Sequence, residues 1–299
     1  MANYTYTSDP DSAVKNKLRA STHEELEKRE ARIVFARTAE IEAGLGPSGS
    51  FDAAHLKAFH GHLFQDVYEW AGHTRDEKVE LSDGTVATEP VLRKADGKPF
   101  TPGPQIAPAL DRIATTLHDS GYLRGLPRAA FAEQAADIMA GINSVHAFRE
   151  GNGRTQRTFM RELAKQAGHE LDFSVVTRER MIQASIAANE LADPAKMRRL
   201  FDEISDPVRV AALEKAIDAL TQHGMKWNEI YIATAEAGHA IELTMAGVAG
   251  EQFMGRTSSQ ILIGQTRDLP KPQPDRGETF SFESSSWEHA RPRTRGRGR

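Results

Sequence analysis

The sequence predicts a mainly α-helical protein with a β-hairpin flap, followed by a small β module and a disordered tail. Three observations lead to that class. Amphipathic runs of helical period occupy most of residues 22–223. A Gly-, Pro- and Asp-rich excursion interrupts them at 73–104, and short alternating runs replace them beyond residue 225.

The chain has 299 residues, of which 39% are hydrophobic, enough to bury a sizeable core. A formal charge of -4 argues against wholesale nucleic-acid binding. There is no cysteine, which excludes disulfides, thiolate zinc sites and a cysteine nucleophile, and fits a reducing compartment. The first residues lack the apolar stretch of a signal peptide, and no later run approaches the roughly 18 apolar residues of a membrane span. A soluble protein without a membrane partner is expected.

Residues 22–43 read as a helix, with Leu26, Ile33, Val34 and Ile41 able to share a face and Thr22 with Glu25 forming a capping box. GLGPSGS breaks it, and residues 51–64 form a second amphipathic helix. The segment His73–Pro104 follows, with turn signals at Asp83-Gly84 and Asp96-Gly97. It reads as a projecting β-hairpin or a long irregular loop, and such an excursion inside a helical domain is usually functional. Helical spacing returns at 105–120 and in PRAAFAEQAADIMAGINSVHAF, where Pro127 suits the first turn. A further helix begins at Arg154 and ends at the Gly168 cap, and three more span about 177–192, 193–204 and 206–223. EIYIATAEAG, HAIELTMAGVAG and SSQILIGQTRD then read as strands, which places a β module at 225–268 after a connecting helix at 206–224. Residues 269–299 have the Pro, Ser, Gly and Arg bias of a disordered tail, with five arginines among the last nine residues.

Residues 146–157, HAFREGNGRTQR, lie between two strong helical patterns and are poor core material. Gly151-Asn152-Gly153 can turn successive N–H groups inward just where the next helix presents its positive end, which makes an anion hole suited to phosphate. Arg154 and Arg157 stand three residues apart on that helix and can reach one phosphate chain with bidentate forks. Glu150 would repel phosphate unless a cation lay between them, which fits a Mg²⁺ ligand. His146, at the end of the preceding helix, is placed to take a proton from an incoming nucleophile. Phe148 reads as the apolar pin of the loop. Each part alone has an ordinary structural reading; together they form a consistent apparatus for nucleotide transfer.

The pattern His-x-Phe-x-Glu-Gly-Asn-Gly-Arg-x-x-Arg resembles the signature of Fic-domain proteins, whose usual activity is transfer of AMP from ATP to a protein hydroxyl. It is complete at every defined position, with Ala147 in place of the proline common after the histidine. LFQDVYEWAGHTR (63–75) resembles the segment before that family's flap, LKAFHGHLF the helix ahead of it, and VKNKL its opening. The resemblance covers about residues 1–205.

It implies that His146 is the general base, that Glu150 holds Mg²⁺ and that Gly151, Asn152 and Gly153 cradle the α- and β-phosphates of ATP. Arg154 and Arg157 would bind the β/γ end. The 73–104 flap would register a target protein, a GTPase among the candidates, and Phe100 and Ile106 read mainly as its apolar anchors. Many Fic proteins carry an inhibitory Ser/Thr-x-x-x-Glu-Gly/Asn helix. Neither Ser21 to Glu25 nor Thr38 to Glu42 fits it, and Ser185 has Asn189 at the glutamate position. This resembles the subgroup restrained by a separate small antitoxin that inserts a glutamate toward Arg157.

A Fic domain followed by an oligonucleotide/oligosaccharide-binding (OB)-like β-barrel resembles bacterial effectors delivered by type IV secretion. The expected location is therefore the cytoplasm, or a host cell reached without a classical signal peptide, and the tail would lead toward a further domain. Trp227, Tyr231 and Phe253 read as core aromatics ahead of stacking platforms. Two other readings stay open: an inactive Fic scaffold binding nucleic acid or a protein partner, and a Fic transferase using another donor such as UTP.

Overall fold

In the computed structural model, residues 4–5, 12–94 and 97–287 are described. The chain divides into two compact units, Met1–Glu170 and Leu171–Arg299. The division falls ahead of the boundary expected at 205.

The first unit is helical. Helix α1 (His23–Glu40) is capped by Thr22, whose side chain accepts the Glu25 N–H at 3.3 Å, while the Glu25 carboxylate accepts from Ser21 at 3.2 Å. A π-helical turn, Ile41–Leu45, ends it. Helix α2 (Ala53–Phe64) buries Leu56, Phe59, Leu63 and Phe64, and also, against ordinary preference, His55 and His60. Helices α3 (Gly103–Asp119), α4 (Arg128–Val145) and α5 (Asn152–Ala167) complete the unit. Pro127 is the residue before α4, and Gly168 closes α5 at φ 85°. Phe51 and Phe59 pack edge-on against Phe159, with centroids 5.3 and 6.2 Å away.

The excursion between α2 and α3 is two small hairpins. Strands β1 (Val79–Glu80) and β2 (Val86–Ala87) pair antiparallel, and the tip between them is pinned to the body. Lys15 Nζ reaches Asp83 Oδ2 and Thr85 Oγ1, both at 2.7 Å, and the Ser82 N–H and hydroxyl donate to Glu69 at 2.8 and 2.9 Å. A second hairpin follows through the Arg93–Pro99 bridge, with Phe100 N–H donating to the Leu92 carbonyl at 2.9 Å. The Asp83-Gly84 signal is thus a hairpin tip. Asp96, of the second signal, lies outside the described residues.

The second unit joins helices α6 (Arg178–Glu190), α7 (Ala195–Ile204) and α8 (Pro207–Gln222) to a five-stranded sheet. A fully buried ion pair, Arg180 to Glu203 at 2.9 Å, links α6 and α7, and Glu203 also accepts the Thr234 N–H at 3.1 Å. The strands are β3 (Tyr231–Thr234), β4 (Ala240–Ala249), β5 (Gln252–Arg256), β6 (Gln260–Gln265) and β7 (Thr279–Glu283), in spatial order β3-β6-β5-β4-β7. β3 and β6 are parallel and the other pairs antiparallel. β3 and β7 are the two edge strands and do not pair with each other among the described residues.

The expectation of a tail from 269 needs correction, because β7 lies within it. TFSFE alternates strictly, with Phe280 and Phe282 in the core beside Phe253 and the flanking residues outward. That period-2 pattern outweighs the Pro- and Ser-rich setting. The part of the tail at 288–299 lies outside the described residues. Phe253 and Tyr231 are core residues and offer no ring for stacking, whereas Trp227, also expected in the core, is only half-buried.

Candidate active site

Helix α4 ends at His146, whose backbone is left-handed at φ 49° and ψ 58°. A β-carbon makes that region unfavourable, so the surroundings must hold it there. Arg75 does so: its Nε donates to the His146 carbonyl at 2.9 Å, and its backbone N–H donates to the Ala147 carbonyl at 2.8 Å. Burial, followed by the positive charge of Arg75, pushes the His146 pKa down to about 4. The ring is therefore neutral at pH 7, the form that can accept a proton.

Phe148 turns inward and is buried, stacked on His60 with centroids 3.9 Å apart and planes 11° apart. His60 fixes the motif from beneath. The Gly72 N–H donates to its Nδ1 at 2.8 Å, which leaves Nε2–H to donate to the Glu150 carbonyl at 3.1 Å. Its burial pushes its pKa down to about 3. A neutral histidine therefore bolts the backbone of the acid in place.

Gly151 precedes α5 at φ 80°, and a β-carbon there would meet the Phe64 ring at 2.5 Å. Only glycine satisfies both conditions. The first α5 hydrogen bond runs from Thr155 N–H to the Gly151 carbonyl, so the N–H groups of Asn152, Gly153 and Arg154 lie at the helix's positive end. The Asn152 side chain is engaged elsewhere. Its Oδ1 accepts the Phe148 N–H at 3.0 Å and its Nδ2 donates to the Phe148 carbonyl at 2.8 Å. This residue can therefore offer an anion only its backbone N–H.

A cavity of about 480 Å³ opens over this helix end, lined by Glu150, Gly151, Gly153, Arg154 and Arg157 on one side and by α1 on the other. Arg154 is held by three groups: Glu30 of α1 at 2.9 Å, Glu150 at 3.6 Å, and the Phe64 face at 4.9 Å. Glu30 is buried and also accepts the Tyr68 hydroxyl at 3.2 Å. Desolvation raises its pKa, against the pull of Arg154. Arg157 has no carboxylate within ion-pair distance among the described residues, and burial followed by the Arg154 charge lowers its pKa. Glu150 is partly exposed at the cavity and accepts the Gly151 N–H at 3.0 Å.

Glu150 shares the cavity wall with Glu27 and Glu30, but Glu30 is engaged by Arg154 and Tyr68, so Glu150 is the carboxylate beside the glycine turn that would hold a Mg²⁺ together with phosphate. Among the described residues no group of three or more His, Asp or Glu could hold a metal alone. Any cation here would depend on the nucleotide.

The structure thus brings Glu150, Gly151, Gly153, Arg154 and Arg157 around one cavity, and sets His146 on the same loop. Phe100, expected as an apolar anchor, instead lies half-buried against the His146 ring. Ile106 is buried, as an anchor should be. Sequence reasoning missed Arg75, His60 and Glu30. For Glu30 a signal was present: Leu26, Glu30 and Val34 recur every fourth residue, so an acid occupied the buried stripe.

Residues 50–164 match the Fic/DOC family. A protein adenylyltransferase of Bartonella henselae is 37% identical over 224 residues, 75% of this chain and 41% of its own length. The chain therefore spans about two fifths of that relative. The type IV secretion system effector protein BepA is similar in structure, with a TM-score of 0.86 at 31% identity over 96% of this chain and 97% of the other. The BepC protein of Bartonella tribocorum, a VirB-translocated effector solved with bound AMPPNP, is 38% identical with a TM-score of 0.65, over 69% of this chain and 97% of that one. No helix among the described residues is long and apolar enough to cross a membrane.

Proposed function

The chain belongs to the Fic/DOC family, and on that premise we propose that it transfers AMP from ATP to a Ser, Thr or Tyr hydroxyl of a target protein. The observation that carries this reading is a neutral, backbone-locked His146 on the loop that leads into a helix-end anion cavity with two arginines. The hydroxyl oxygen attacks the α-phosphorus and its proton passes to the His146 imidazole. The bond to the β-phosphate oxygen breaks and pyrophosphate leaves. Gly151, Asn152 and Gly153 contribute backbone, and Arg154 and Arg157 take the β/γ end. Mg²⁺, held by Glu150 and the phosphates, would supply charge neutralisation when bound. Positioning and preorganised charge provide most of the acceleration, with the base adding about 10²–10⁴-fold.

The 92–100 hairpin is the segment that would register the target, because its last residue touches the base. The arginine without a carboxylate partner, Arg157, is where a glutamate from a separate antitoxin chain would insert. Similarity to effectors of type IV systems supports a protein delivered into another cell.

Incubation with α-³²P-ATP, Mg²⁺ and candidate lysates, beside His146→Ala, tests the reading. A labelled protein band that requires His146 is expected. Label arising only from γ-³²P-ATP would replace the proposal with a kinase.

A further inference from the structure

Arg75 has no exposed surface, and no carboxylate lies within ion-pair distance of it among the described residues. Asp76 and Glu89 act on it only as more distant charges. A guanidinium in that position is costly unless its donors are satisfied. Here main-chain carbonyls accept four hydrogen bonds from it. Nε donates to His146 at 2.9 Å, Nη1 to Glu89 at 3.2 Å and Pro90 at 3.0 Å, and Nη2 to Thr101. The backbone of Arg75 joins the same two segments, donating to the Ala147 carbonyl at 2.8 Å and accepting the Glu89 N–H at 2.6 Å.

These acceptors are not scattered. Glu89 and Pro90 enter the 92–100 hairpin, Thr101 leaves it, and His146-Ala147 carry the base. Thr101 adds a second tie through its hydroxyl, which donates to the Ser144 carbonyl at 3.2 Å. A rigid fork of five donors can span such a set, whereas a lysine ammonium has three and no fixed plane.

We propose that Arg75 is a positioning residue for the AMP transfer inferred above: it clamps both ends of the 92–100 hairpin to the backbone of His146, so that target and base share one frame. The inference rests on that functional reading for its purpose but not for its geometry. Arg75 touches no reacting atom. Its charge, with those of Lys94 and Arg149, also opposes protonation of His146, while the Asn143 backbone favours it.

The test compares wild type, Arg75→Lys and Arg75→Met by three readouts: steady-state AMP transfer, AMPPNP affinity by calorimetry, and titration of the His146 ring by NMR. Arg75→Met should lower kcat about 100-fold and move the His146 titration upward from about 4, with AMPPNP affinity changed less than about threefold. Arg75→Lys should recover part of both effects. Equal losses in kcat and AMPPNP affinity would overturn the proposal, as would an unmoved His146 titration.

Should Arg75→Met fail to fold, hydrogen exchange on Arg75→Lys decides. Loosening confined to 89–103 and 144–148 supports the clamp; uniform loosening of α1–α5 overturns it. The NMR and exchange results do not require activity. A wild type that transfers no AMP would therefore defeat the transfer reading while the clamp is still judged.

Discussion

Phe100 lies flat on His146, with ring centroids 3.9 Å apart and planes 13° apart. The residue that ends the hairpin therefore forms one wall of the imidazole's environment. It shields the imidazole and contributes to the burial that depresses its pKa.

Phe100→Ala should open that wall. We expect AMP transfer to fall about 10- to 100-fold and the acid limb of its pH profile to move up from about 4. AMPPNP affinity should stay within about twofold, since no phosphate contact is lost. An unchanged acid limb would show that the stack does not govern the base.

Gly151→Ala would place a β-carbon 2.5 Å from the Phe64 ring at a φ of 80°. Strain of about 1–3 kcal/mol plus displacement of Phe64 should lower the melting temperature and weaken AMPPNP binding together. Thermal unfolding and calorimetry measure the two. Normal values for both would contradict the cradle geometry.

Two histidines with depressed pKa values should make the first unit acid-sensitive. His60 and His146 have folded pKa values of about 3 and about 4, below the unfolded value of 6.5. The folded state thus binds fewer protons, and stability is complete above about pH 6.5 and falls as pH drops toward those values. His60 alone should contribute a slope of about 1.4 kcal/mol per pH unit over that window. Urea unfolding between pH 7 and 4 should show a steeper decline for wild type than for His60→Asn.

Arg154→Ala would leave Glu30 buried without its cation. A stability loss of about 1–3 kcal/mol is expected, together with weaker nucleotide binding. Adding Glu30→Gln should restore much of the stability and none of the binding, a separation that a double-mutant cycle measures directly. Glu30→Ala alone should not strongly raise the proposed AMP transfer. Strong activation would place the restraint inside this chain and remove the case for a separate antitoxin.

The helices were legible because their signals are local: a capping pair at Thr22 and Glu25, an apolar stripe on α4, a glycine stop at 168. Strand β7 was not, because TFSFE is short and sits among prolines and serines. Its two phenylalanines acquire meaning only beside Phe253. The 73–104 excursion reads in the sequence as one flap, yet its first hairpin is tied down by Lys15 and Glu69. Lys15 is 68 residues from Asp83.

The sequence by itself determined the chemistry available at the site. Residues 146–157 lie adjacent along the chain, so a histidine, an acid, a glycine turn and two arginines are brought within reach of one helix end by local geometry alone. Tertiary structure decided the state of those groups. His146 is neutral and left-handed because Arg75 and Phe100 come from a segment about 45–70 residues away. Glu150 is braced by His60 and Arg154 is held by Glu30. Burial and hydrogen bonding across such separations set pKa and backbone conformation, and no short motif contains them.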